Sequence, residues 1–442
     1  MGREPYGEYS RCGLPYVLGG VIDSFDNLIE YSPEWFRRFG VQVKHSTEVT
    51  AVDAGRRFVT MVSLANGEEE TIDYDNLVIA TGSIPKVPPI PGITRHDGSL
   101  IERVFTLRTI EDALGIARAI DSANHCLIIG AGLIGLETAE ALRSRMGSAI
   151  GQVSLVDTEP HVLATMVDPD MARVLEDSVA SHGVDFLPST TVTQIQSEVQ
   201  CHVKCRSARG EESSHSADLI VVAVGCNPDI ALGKMAGCLI GPTGGIVVDG
   251  CCRTSISGVY AAGDCTEYRD FVTGHPLLVG LGSVAVRQGR VAGINAVGGV
   301  EQVAEGLLNS RTTRLFGLEV AAVGPTQCEL QERGINPIVG KVTSSTRPAY
   351  FPGGKRITVK LLVHPDDARL IGAQVVGDEG VHLRADVLAT AILSSMKVGR
   401  FLQLETCYAP SVAPTLDCVT LAAEAAYTRW TRDRRDKERT SD

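Results

Sequence analysis

The residues of this sequence best placed for chemistry are a glycine turn, an aspartate that follows it, and a cysteine near the start of the chain. HCLIIGAGLIGLETAEALRSRMG runs from an apolar strand-like segment through a glycine turn into a helical stretch, with Gly130, Gly132 and Gly135 at GxGxxG spacing. In such a turn the first glycine allows the tight bend. The second lets a pyrophosphate approach the backbone at the helix N-terminus, and the third lets helix and strand pack closely. A second apolar run, QVSLVD, ends in Asp157, about 25 residues after the turn, where a carboxylate would take the adenosine ribose hydroxyls. The same carboxylate would repel a 2′-phosphate, which favours NADH over NADPH. A ligand-free glycine turn is the plainer alternative, and the complete strand–turn–helix–strand–acid unit argues against it. Cys12 lies just before Pro15, a residue suited to the first turn of a helix. A cysteine at a helix start feels the positive end of the dipole, which favours thiolate and hence attack on a disulfide. Spacing alone favours a buried structural cysteine over a reactive one.

The elements that must position these residues follow from hydrophobic pattern. NLVIATG, HCLIIGAG, QVSLVD, DLIVVAVG and GVYAAGD are short β-branched runs, most ending in glycine turns and flanked by helical stretches, which indicates parallel βαβ units. Asn66-Gly67 between two strand-like runs predicts a hairpin. From about residue 310, KRITVKLLVHPDDARLIGAQVVG predicts antiparallel strands turning at Pro365-Asp366-Asp367, and LRADVLATAILSSM an amphipathic helix. RWTRDRRDKERTSD predicts a charged, frayed tail over 429–442.

Bulk properties narrow the function classes. At 442 residues the chain calls for more than one core. The net charge of −12 argues against nucleic acid as a partner. No apolar run is long enough to span a membrane, and MGREPYGEYSRCG lacks the apolar core of a signal peptide, so a cytoplasmic protein is expected. The 12 cysteines show no CxxC spacing and no accompanying histidine cluster, which argues against a zinc site and for mostly buried thiols.

Further segments complete a recognisable pattern. Ala80-Thr81-Gly82, Ala223-Val224-Gly225 followed by Asn227-Pro228, and Ala261-Ala262-Gly263-Asp264 each end a strand-like run. Their order around the glycine turn resembles the pyridine nucleotide-disulfide oxidoreductases, flavoproteins with two dinucleotide domains. The resemblance implies that Asp264 binds the FAD ribitol and that LGSVAVRQGRVAGINA is the helix under the flavin. YSRCGLPY resembles the active-site segment of the single-cysteine branch, closest to coenzyme A-disulfide reductase, which makes Cys12 the redox cysteine. RPAYFPGGKRITVKLL and CYAPSVAPTLD resemble the interface domain, where Tyr350 and Tyr408 would reach the partner subunit's redox cysteine in a homodimer. Glu137 matches a glutamate that contacts the nicotinamide ring; a first-turn carboxylate serving the helix dipole is the alternative. Leu133 departs from the aromatic of many relatives, which puts gating of the flavin face there in doubt. Cys407, beside Tyr408, is read as inert.

The resemblance thus implies an α/β fold with two Rossmann-like dinucleotide-binding lobes and a C-terminal α+β dimerisation domain. Residues 1–105 and 236–303 would form the FAD-binding domain, 106–235 the NAD-binding domain and 310–428 the interface domain. Relatives carry a βαβ unit with its own GxGxxG before the redox cysteine, and the 11 residues before Cys12 cannot hold one. The expectation is therefore little or no FAD on the chain as written, or an upstream start. The activity implied is transfer of electrons from NAD(P)H through FAD and Cys12 to a small disulfide, with coenzyme A disulfide first. NADH oxidase or peroxidase, persulfide or polysulfide reductase, and a non-catalytic NADH-binding subunit are the alternatives.

Overall fold

The computed structural model describes residues 1–146, 151–197, 200–278 and 280–441. The chain divides into two compact units. The first comprises Met1–Asn124, Ser144–Ile150 and Asp218–Leu307; the second comprises His125–Arg143, Gly151–Ala217 and Leu308–Asp442.

In the first unit, the runs ending in ATG and AAGD pair as parallel strands, Leu77–Ile79 with Val259–Ala261. The N–H of Ala262 donates to the Ile79 carbonyl at 3.0 Å, so the two turns that follow lie side by side. Helix Gly282–Ala296 packs over strand Val259–Ala261. The Asn66-Gly67 hairpin forms between Phe58–Ser63 and Glu69–Asp73, with Thr47–Asp53 completing an antiparallel sheet. Only Gly67, at φ +74°, takes the left-handed conformation, and the loop spans residues 64–68 rather than the two central residues alone. Val52, Val59, Met61, Ile79, Ile246 and Val259 join these sheets in one core. Helix Leu14–Leu18, with Pro15 in its first turn, is held on helix Ile110–Ile120 by the fully buried Leu14 and Leu18. Each buried leucine stabilises that seating by about 1.5–3 kcal/mol.

In the second unit, strands His125–Ile129, Gln152–Val156 and Val184–Leu187 run parallel. An antiparallel sheet follows from Thr190 to Ala217, and alternation along Cys201–Ser207 turns Cys201, Val203 and Cys205 inward. The segment after residue 310 forms a five-stranded antiparallel sheet, in the order Arg311–Leu315, Leu318–Val323, Leu370–Gly377, Arg356–Val363 and Ile338–Ser345. The Pro365-Asp366-Asp367 turn joins two of these strands, closed by the His364 N–H on the Arg369 carbonyl at 2.8 Å. Helix Val381–Leu393 buries Val381, Ala385, Leu388 and Ile392, the spacing of one helical face.

The expected frayed tail is a correction. Residues 429–441 continue one helix, Cys418–Ser441, along the interface-domain sheet. The Trp430 indole donates to the Pro365 carbonyl at 2.9 Å, Arg429 donates to the Val339 carbonyl at 2.8 Å, and the Arg434 guanidinium lies over the Trp430 ring. These contacts anchor a charged stretch whose composition alone suggests solvation; residue 442 lies outside the described residues. Eight of the cysteines are buried, as expected, while Cys12, Cys226, Cys328 and Cys407 are exposed. Cys407 therefore does not owe any inertness to burial. No described helix is long and apolar enough to cross a membrane, and no group of metal-ligating residues occurs among the described residues.

Candidate active site

The glycine turn of the second unit has the geometry its spacing implies. Gly130 sits at φ +111°, and a Cβ at Gly135 would lie 1.9 Å from the Gly130 carbonyl oxygen, so only glycine fits there. Around Gly132 a Cβ would meet nothing within 4 Å, which leaves the backbone open to a ligand. Asp157, just past strand Gln152–Val156, accepts from the Ala131 N–H in the middle of the turn and, through its other oxygen, from the Glu159 N–H at 2.9 Å. The carboxylate thus clamps the turn to the end of the next strand.

Glu137 occupies a different position from the one expected. Helix Leu133–Met146 has no acidic residue in its first turn, and Glu137 is its fifth residue, too far along to cap the N-terminus. It accepts instead from the Thr313 hydroxyl at 2.8 Å. Burial pushes its carboxyl above the ordinary range, the Thr313 bond opposes this, and Glu140 adds to the rise. Glu140 is raised by burial too, against the Phe316 N–H that it accepts at 2.7 Å. Leu133 is the first residue of this helix.

The first unit gathers the other motifs. Gly82, at φ +72°, offers its carbonyl to the Asp229 N–H at 2.9 Å, while the Thr81 hydroxyl donates to the Asp229 carbonyl. Strands Ser83–Pro85 and Cys226–Pro228 pair antiparallel, and the Lys86 N–H donates to the Gly225 carbonyl. Thr81, Gly82 and Gly225 therefore form one structural cluster. Asp264 joins it through Ser83, whose hydroxyl donates to Asp264 Oδ2 at 3.1 Å. Arg108 donates to the same oxygen at 3.1 Å. Gly263, at φ +80°, gives its N–H to Gln288 Oε1 at 2.9 Å.

Cys12 is exposed, on a single 3₁₀ turn, Arg11–Gly13, that leads into helix Leu14–Leu18. Its neighbour Arg11 donates to the Arg108 carbonyl at 3.1 Å, which ties the cysteine segment to the residue holding Asp264. Tyr350 and Tyr408, in the second unit, share a hydrogen bond between hydroxyls at 3.1 Å. Both rings are exposed, which excludes a plain core role. The bond to Tyr408 holds the Tyr350 hydroxyl above its ordinary range.

Arg108, Ser83 and Thr313 escaped the sequence reading because no motif contains them. Gln288 lies in LGSVAVRQGRVAGINA, where no local pattern marks its side chain.

The profile of the family described as pyridine nucleotide-disulphide oxidoreductase matches residues 2–289, and its dimerisation domain matches residues 311–418. The chain belongs to this family. A relative from Methanocaldococcus jannaschii, named NADH oxidase, is 35% identical over 95% of this chain and 90% of its own length. One from Pyrococcus horikoshii, named NAD(P)H coenzyme A polysulfide/persulfide reductase, is 31% identical over 94% and 89%. Among solved structures, an NAD-dependent persulfide reductase from A. fulgidus matches with a TM-score of 0.90 and 36% identity, covering 98% of this chain and 78% of the other. The expected fold class, two Rossmann-like lobes and a C-terminal dimerisation domain, agrees with these matches, and the chain is an oxidoreductase.

Proposed function

We propose that this oxidoreductase passes electrons from NADH to a small-molecule disulfide or persulfide through Cys12, with coenzyme A disulfide as the first candidate. The observation that carries the reading is the run of contacts in the first unit from the Cys12 turn through Arg11 and Arg108 to Asp264. It joins an exposed cysteine to a carboxylate held for a ligand.

The residues present fit FAD at its ribityl end. Arg108 Nε, on the guanidinium that holds Asp264 Oδ2, and Gln288 Nε2, whose side chain holds the neighbouring Gly263 N–H, are buried atoms with no hydrogen-bond partner. Asp264 Oδ1 is then the oxygen left to accept from a ligand hydroxyl, with Gly82, Gly263 and Gln288 around it. Bound there, FAD would supply two-electron storage between NADH and the cysteine. NADH would lie on the open backbone at Gly132, with Asp157 toward the adenosine ribose and Glu137 toward the nicotinamide. The fixed carboxylate at Asp157 disfavours a 2′-phosphate, which is why NADH is preferred over NADPH in this reading.

The cysteine chemistry balances simply. The Cys12 thiolate attacks one sulfur of RS–SR, breaks the S–S bond, forms Cys12–S–SR and expels RS⁻. The expelled thiolate takes a proton from a tyrosine hydroxyl; two electrons from NADH then return Cys12 to thiolate with release of the second RS⁻, and the proton left as NADH becomes NAD⁺ restores the tyrosine hydroxyl. In a homodimer the Tyr350–Tyr408 pair of one protomer would serve the Cys12 of its partner.

The NADH oxidase name of the Methanocaldococcus relative supports a second reading, in which Cys12 cycles through a sulfenate. The deciding experiment is Cys12→Ser, assayed with NADH against coenzyme A disulfide and against dioxygen. Disulfide reduction should vanish while NADH affinity stays as in the wild type. Retention of more than about a tenth of the disulfide turnover, a loss below 1.4 kcal/mol in barrier terms, would remove Cys12 from the mechanism.

A further inference from the structure

We infer that Thr313, on the first strand of the dimerisation domain, is the positioning residue for Glu137, so that this domain completes the nicotinamide side of the dinucleotide site. The inference rests on the proposed role of Glu137 and adds a residue that the family motifs do not contain.

The geometry is local to the second unit. Glu137 stands on helix Leu133–Met146, directly after the GxGxxG turn, and its Oε1 accepts from the Thr313 hydroxyl at 2.8 Å. One helical turn on, Glu140 accepts from the Phe316 N–H at 2.7 Å. Two carboxylates three residues apart share a helix face, and both are fastened to the same strand and the turn that ends it. Thr313 is buried, 8% exposed, so its hydroxyl has little water to turn to. A β-branched side chain in a strand has few rotamers, which fixes where the donor points. One donor and one acceptor at fixed positions leave the second oxygen of Glu137 aimed, and ionised Glu137 accepts on the nicotinamide side.

The surrounding charges make this donor matter. Glu137 is largely desolvated, and Glu140 is the charged group that repels it. Arg314 and His182 act on Glu140. Arg311, which precedes Thr313 on the same strand face, is influenced by Glu329. No cation therefore balances Glu137 among the described groups that act on it, and the Thr313 hydroxyl is its stabilising contact.

The test is the pH dependence of NADH affinity, followed by fluorescence titration of the purified chain, in wild type, Thr313→Val, Thr313→Ser and Glu137→Gln. Valine keeps the branched shape and removes the donor. Its acid limb should move up by about one to two units, the shift expected for one hydrogen bond to a charged group. Serine restores the donor and should restore the wild-type profile, which a merely structural role of the residue would not require. Steady-state assays of Thr313→Val should show a raised KM for NADH at low pH with kcat changed less. If the valine and wild-type profiles superimpose while Glu137→Gln flattens the acid limb, the role of Thr313 is wrong and that of Glu137 stands. If Glu137→Gln leaves both affinity and profile unchanged, the reading of Glu137 falls and takes the Thr313 inference with it.

Discussion

Two aspartate–cation pairs, one in each unit, are built to opposite ends. Asp168 precedes helix Pro169–Ser181, 2% exposed, and every part of its carboxylate is used. It accepts from Lys360 at 2.9 Å, from Gln374 Nε2 at 2.6 Å, and from the Gln327 and Cys328 N–H groups at 3.2 Å. Lys360 is itself buried and reaches Asp170 at 2.7 Å, and Lys341 supports Asp170 from the surface. Burial alone would raise the Asp170 carboxyl, but the two lysines outweigh it and hold it below its ordinary range. Asp264 is also paired, with Arg108, yet that pair is unfinished. Oδ2 takes both protein donors, while Arg108 Nε and Gln288 Nε2 stay buried without partners. A charge that holds a fold together consumes its hydrogen-bonding capacity internally. A pair that leaves buried donors unpartnered keeps capacity for a further partner, as the proposed flavin site requires.

The largest expected effect breaks the completed pair. Lys360→Met strands Asp168 and Asp170 with one surface lysine between them, and losing one member of a buried pair destabilises by about 3–5 kcal/mol. Urea denaturation of the variant should show a midpoint well below that of the wild type. A loss under about 1 kcal/mol would mean that the network is ornamental and that the contrast with Asp264 is false.

At the unfinished pair the effect should fall on the ligand instead. Arg108→Gln removes the charge that holds Asp264 Oδ2, so Oδ1 is no longer fixed. FAD affinity, measured by reconstitution and flavin fluorescence, should drop about tenfold, the size of one charge-assisted hydrogen bond. Global stability should change far less than in Lys360→Met. Unaltered FAD affinity together with a large loss of stability would make Arg108–Asp264 a second structural pair.

The difference between the two sites also marks what a reader can take from sequence. The glycine turn, Asp157 and the strand ends at Gly82, Gly225 and Gly263 are legible because each obeys a local rule of backbone conformation or spacing. Gly135 is the clearest case, since any Cβ collides with the Gly130 carbonyl. Asp264 was reached only through family resemblance, and its partner Arg108, 156 residues away, was not reached at all. Thr313 and Glu137 are 176 residues apart, and the Asp168–Gln374 contact spans 206. No local pattern encodes such pairs; they exist only once sheets have stacked. The C-terminal helix failed for the same reason: its charges are locally those of a tail, and the contacts of Arg429 and Trp430 that anchor it are remote.

Glu137 lies between the two extremes and gives the smallest and most selective prediction. It has one firm protein partner, a repelling neighbour, and a carboxyl raised by burial above its unfolded value of about 4.5. A group raised on folding binds its proton more tightly in the native state. Its stabilising contribution is present below the unfolded value and is lost as pH rises through the folded one. At neutral pH ionised Glu137 therefore costs stability. Glu137→Gln keeps an amide oxygen for the Thr313 hydroxyl and removes the titrating charge. The variant should melt above the wild type at about pH 8, with the difference shrinking toward about pH 5, while Lys360→Met stays destabilised across that range. A constant difference would mean that Glu137 titrates alike in the folded and unfolded chain. It would then be solvated like a surface carboxylate, and only Asp264 would remain on the unfinished side of the comparison.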